Sequence, residues 1–133
     1  RVDRLIELVL EYDAKVRKSE IKYLRDSDSV EDYLALGVDG EKLLKDAVMA
    51  HKLTDEGGLT TFFHIVSIIG FICAASKSCH ERVMEGLSMR GSGMTLIVQG
   101  LKEYSQVLGD EEDGEGDVGG VEGARIKGLI EGV

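Results

Sequence analysis

Gly57–Ser76 reads GGLTTFFHIVSIIGFICAAS, and it contains no charged residue. Drawn as a helix, it places Leu59, Phe62, Phe63, Val66, Ile69 and Cys73 on one side and Ile65, Ile68 and Ile72 on the other. A helix that is apolar all round has to be covered all round, so the sequence predicts a packed helical module with Gly57–Ala75 as its central buried helix. The rival is a membrane span, since roughly 20 predominantly apolar residues cross a bilayer. His64, Ser67, Thr60 and Thr61 interrupt the window, however, and Gly57, Gly58 and Gly70 dilute it. The Trp and Tyr belts that anchor spans at the interface are also missing. A core helix is the better reading.

The rest of the chain supports helical surroundings. Its 133 residues suit one domain with a real core. Proline and tryptophan are absent and aromatics make up 5%, a composition that favours helix over sheet. Many of the 17 glycines fall where helices should stop. A net charge of −9 and a pI near 4.8 argue against a nucleic-acid surface, whose footprint is a basic patch. A basic protein segment is the more natural partner. Two cysteines make no disulfide framework and point to a reducing compartment. No secretory signal opens the chain. Arg1-Val2-Asp3 is already in helical period, as expected of a piece of a longer protein.

Working outward from the centre, Val2, Leu5, Ile6, Val9, Tyr12 and Val16 recur at helical steps and predict a first helix to about Leu24. Asp26-Ser27-Asp28-Ser29 then supplies a turn and an N-cap. A short helix follows over Val30–Leu36, and a third carries Leu43, Leu44, Ala47, Val48 and His51. Thr54-Asp55-Glu56 is expected to cap the central helix. Ser78-Cys79-His80-Glu81 has the form of a capping box for the next, which Gly91 ends. Ser92 should cap a helix striped by Met94, Ile97, Val98, Leu101, Tyr104 and Leu108, with Gly109 as its stop. Helices joined by such short links pack as antiparallel neighbours. From residue 110 to 120 the chain turns acidic and glycine-rich, as a mobile linker would. The tail from 121 to 133 recovers a stripe at Ile126, Leu129, Ile130 and Val133 and predicts a docked helix.

Candidate sites are few. Cys73, Cys79, His80 and His64 lack the paired ligand spacing of structural zinc, and the two thiols read as a buried residue and a helix-start residue. Met89-Arg90-Gly91-Ser92-Gly93 could offer amides to a phosphate, yet it has no phosphate-loop lysine and reads as a turn. The run Asp110–Asp117 fails as a calcium loop, because Glu115 stands where glycine is needed and Val121 where glutamate is needed. No nucleophile, base and acid set can be assembled, so no enzyme, cofactor or metal is expected.

Three stretches together resemble the C-terminal part of the beta-catenin-like protein 1 family. They are RVDRLIEL at the start, the block from Gly58 to Asp110 centred on RVMEGLSMRGSGMTLIVQGLKEYSQVLGD, and ARIKGLIEG near the end. Met89-Arg90-Gly91-Ser92 and Lys102-Glu103-Tyr104 are the most specific points. Little of Lys18–Thr54 or of the 110–120 segment takes part. The resemblance implies an all-α, armadillo-like helical repeat superhelix, with this chain as its C-terminal capping portion: a helical cap over residues 1–109, the linker, and the docked tail. It further implies a non-catalytic scaffold in the nucleus, associated with pre-mRNA splicing through the nineteen complex and binding basic nuclear-localisation-type segments of partner proteins. No family binding position is carried over to residues of this chain, no direct contact with nucleic acid or membrane is implied, and self-association is compatible with it. The competing functional reading is a helical bundle that binds a small apolar ligand or a membrane surface through the central helix, which would leave a lined cavity beside Phe62–Cys73.

Overall fold

The computed structural model describes residues 1–115 and 117–132, with side chains for 1–109 and 123–131. It is all helical among the described residues: α1 (Val2–Asp26), α2 (Val30–Ala35), α3 (Val38–Lys52), α4 (Leu59–Ala75), α5 (Lys77–Met89), α6 (Met94–Glu115) and α7 (Asp117–Gly132). The chain divides into two compact units, Arg1–Val9 with Phe63–Val133, and Leu10–Phe62.

In the first unit the buried side chains are those the helical periods select. Ile6 and Val9 come from α1, Phe63, Val66, Ile69 and Cys73 from α4, Val83 and Leu87 from α5, Ile97, Leu101 and Leu108 from α6, and Ile126 and Leu129 from α7. The Phe63 ring stacks on Tyr104 with centroids 4.8 Å apart. A Cβ at Gly70 would stand 3.2 Å from Leu101 Cδ1 and 3.5 Å from Leu129 Cδ1. The missing side chain therefore lets α6 and α7 approach the α4 backbone closely. Of the tail stripe, Ile126 and Leu129 are buried, Ile130 is half-buried, and Val133 lies outside the described residues.

In the second unit α2 packs on α3, and Val16, Val48, Leu59 and Phe62 are buried. The turn into α4 is organised by Thr54, whose hydroxyl donates to the His51 carbonyl (2.6 Å) and accepts from the Gly57 amide (3.2 Å). Thr54 thus builds the turn rather than capping α4, which starts at Leu59 directly after Gly58 at φ 80°. Ser29 precedes α2 but makes no side-chain cap; its amide donates to Ser27 Oγ at 3.4 Å.

Four further expectations are corrected. Central helix α4 is not covered all round, for Ile68 and Phe71 are 49% and 59% exposed. They are the two large apolar residues on a face that also presents Thr61, His64, Ala74 and Ala75, side chains small or polar enough to tolerate water. The cap of α5 is Ser76, whose hydroxyl accepts from the Cys79 amide at 3.2 Å; Ser78 is already inside the helix. Ser92 likewise lies outside the start of α6. It closes α5 instead, its amide donating to the Leu87 carbonyl (2.9 Å) while Gly91, at φ 77°, donates to Ser88 (3.1 Å), the paired bonds of a Schellman end. Gly109 is no stop, because it does not take the left-handed φ that Gly91 takes. Helix α6 runs to Glu115 and α7 from Asp117.

Candidate protein-interaction surfaces

Charge in the Leu10–Phe62 unit is sorted into blocks. The second half of α1 carries Lys15, Arg17, Lys18, Lys22 and Arg25 against Glu20 and the terminal Asp26. The next stretch, Asp26 to Glu41, carries Asp26, Asp28, Glu31, Asp32, Asp39 and Glu41 and no cation. Acidic residues suit the first turns of α2 and α3, where the helix dipole is positive, so part of this sorting serves local structure. The exposure of the intervening apolar side chains has no such explanation. Leu34, Leu36 and Val38 stand open beside the exposed carboxylates of Glu31, Asp32, Asp39 and Glu41. Open apolar side chains ringed by one sign of charge are the composition of an interaction surface.

Two concave regions belong to the same unit. A pocket of about 230 Å³ is lined by Lys22, Tyr23, Asp26, Ser27, His51 and Glu56. Its wall is stiffened by the Tyr23 ring stacked on His51 at 4.8 Å. A larger groove, about 350 Å³, runs between α1 and α3 and is lined by Leu24, Leu44, Val48 and Met49 with Glu20, Lys45 and Lys52 at its edges. In the other unit a groove of about 180 Å³ lies between α4 and α7, lined by Ser67, Ile68, Phe71, Arg125, Ile126 and Leu129.

The residues singled out from sequence are dispersed. Cys73 is buried on α4 and Cys79 half-buried on α5; burial pushes the Cys73 thiol above its ordinary value, and the neighbouring Cys79 adds to the effect. His64 is exposed, its ring edge-on to Tyr104 at 6.4 Å. Among the described residues no group of three or more His, Cys, Asp or Glu side chains gathers as metal ligands do, and no helix is long and apolar enough to cross a membrane. Met89 and Arg90 are exposed at the end of α5, where Arg90 Nη1 donates back to the Gly86 carbonyl at 3.1 Å. The side chains of 110–117 lie outside the described residues; Arg90 and Gly91 form a turn between α5 and α6. The charge blocks of α1 and α2–α3 were missed because a net charge averages them away; a running count along the chain would have exposed both.

Comparison with known proteins bears out the resemblance. The chain is 30% identical over 132 residues, 98% of its length, to beta-catenin-like protein 1 from Rattus norvegicus. It is 30% identical over 111 residues to the Bos taurus protein of that name and 29% identical over 111 residues to the Mus musculus one. It spans 22% of the rat protein and 19% of the other two. No family model matches the chain, and no solved structure matches it significantly.

Proposed function

We propose that this chain, similar along 98% of its length to beta-catenin-like protein 1, is a non-catalytic protein–protein interaction module of a nuclear pre-mRNA splicing complex. It forms the C-terminal, capping end of an armadillo-like superhelix and binds basic, nuclear-localisation-type segments of its partners. The observation that carries the binding reading is the surface of α2 and the start of α3. There, exposed Glu31, Asp32, Asp39 and Glu41 surround exposed Leu34, Leu36 and Val38. Lysines and arginines of an extended partner find carboxylates at several points along this surface, and their long aliphatic stems cover the leucines and valine.

A labelled peptide of nuclear-localisation type, titrated against the chain by fluorescence anisotropy, tests the reading. Affinity should fall steeply between low salt and about 0.5 M, as the screening length shortens toward 3–8 Å, and should fall again in the Asp32→Asn, Asp39→Asn double variant. Affinity that ignores both salt and the substitutions refutes electrostatic recognition at this surface. The apolar-ligand alternative is favoured by one feature, the exposed pair Ile68 and Phe71 beside the α4–α7 groove. Saturable binding of a hydrophobic dye that Phe71→Ser abolishes would support it.

A further inference from the structure

The groove between α1 and α3 differs in charge from the rest of this acidic chain. Its floor is apolar: Val48 is buried, Leu44 and Met49 are half-buried, and Leu24 is 37% exposed. Ile21, three residues before Leu24 and so on the adjoining face of α1, is 64% exposed. On the α3 side the edge carries Lys45 and Lys52, and on the α1 side Glu20 stands 3.7 Å from Lys52. Two lysines against one carboxylate make this lining net basic, the opposite sign to the acidic α2–α3 surface.

We infer that this groove is a second docking site, whose occupant is an amphipathic helix with an apolar stripe and carboxylates along its edge. The geometry suits a helix. Lys45 and Lys52 lie one heptad apart on α3, about 10.5 Å along its axis, which matches two acidic residues one heptad apart on a helix laid alongside. Apolar anchors at three- and four-residue spacing enter between Leu24 and Met49, the helix-in-groove mode of recognition. Met49 is suited to such a floor because its unbranched thioether side chain adapts to the anchor that arrives. Lys52 is already paired with Glu20 at 3.7 Å, so an incoming carboxylate competes for it, and Lys45 is the more exposed of the two cations.

The test uses the whole chain and a synthetic amphipathic helix of about four turns, with leucines at that spacing and two glutamates one heptad apart. A twin peptide carries glutamine in place of both glutamates. Isothermal titration should show saturable binding of the glutamate peptide and roughly five- to tenfold weaker binding of the twin, as loss of rim ion pairs implies. Lys45→Glu, at an exposed position that leaves the fold intact, should weaken the glutamate peptide by a similar factor and leave the twin nearly unchanged. Leu24→Ala should weaken both peptides alike. In NMR titration the shifts should centre on Leu44, Lys45 and Met49. The inference is overturned if the two peptides bind equally to wild type and to Lys45→Glu, if neither binds, or if the shifts centre on Ile68 and Phe71. It is equally overturned if vesicles rich in phosphatidylserine, but not the peptide, occupy the groove and Lys45→Glu releases them, since the basic face would then be a membrane contact.

Discussion

Ile126→Ala removes three carbons from a side chain with no exposed surface, on a helix that has little stability of its own. The transfer contribution is about 0.8 kcal/mol for each buried carbon, roughly 2.4 kcal/mol in all. An unfilled cavity brings such losses to about 2–5 kcal/mol. Helix α7, Asp117–Gly132, includes Gly119, Gly120, Gly123, Gly128 and Gly132, each about 1 kcal/mol worse than alanine in a helix interior. Its formation therefore depends on docking through Ile126 and Leu129 onto the rest of the first unit. The loss should saturate: once docking fails, further damage to α7 costs nothing more. Ile126→Ala should lower Tm by on the order of 10 °C, and Ile126→Ala with Leu129→Ala should cost clearly less than the sum of the two single changes. Hydrogen exchange should show the α7 amides losing protection while those of α5 keep it. An Ile126→Ala protein that melts within about 1 °C of wild type with α7 still protected would show that α7 is stable for some other reason.

Ser76→Ala should cost about 1 kcal/mol in urea denaturation through loss of the α5 cap, while Ser78→Ala stays within about 0.5 kcal/mol; the opposite ranking would restore the capping box. Ile69→Ala should destabilise by about 2–5 kcal/mol, whereas Phe71→Ser, at an exposed position on the same helix, should leave the thermal melt within about 0.5 kcal/mol of wild type. Because folding raises the Cys73 thiol, the folded state holds its proton more tightly than the unfolded state. The stability this contributes is complete below the ordinary thiol value of about 8.5 and is lost as pH rises from there through the raised value. The urea midpoint should accordingly fall between about pH 8 and pH 10, more in wild type than in Cys73→Ala; identical slopes would mean that burial of Cys73 does not govern its ionisation.

The helical fold was legible because its signals are redundant. Absence of charge marked α4, and period alone placed Ile6, Val9, Val83, Leu87, Ile97 and Leu101 in the core. The caps were less legible because a cap depends on one dihedral. Ser76 and Ser78 are both serines two residues apart, and only the extended backbone of Ser76, φ −147° and ψ 117°, decides between them. Gly91 and Gly109 are the same residue type after similar stripes, yet only Gly91 turns left-handed. The exposure of Phe71 was illegible for a different reason. Periodicity reports which residues share a face, while coverage of that face depends on neighbours contributed from distant parts of the chain.

The net charge of −9 predicts a single class of basic partner, but a docking segment does not respond to the total. At physiological ionic strength the field of an exposed charge fades over about 8 Å, so a segment approaching α2 and the start of α3 meets Glu31, Asp32, Asp39 and Glu41, and one entering the α1–α3 groove meets Lys45 and Lys52 beside Glu20. Opposite blocks in one compact unit therefore select opposite partners, and rim charges of this kind act mostly through association rate and discrimination. The consequence is separable by mutation. Asp32→Asn with Asp39→Asn should slow association of the basic peptide and leave the acidic helix untouched, and Lys45→Glu should do the reverse. Stopped-flow rates in which either variant changes both associations equally would show that the unit responds to its overall charge and that the two blocks do not act as distinct surfaces.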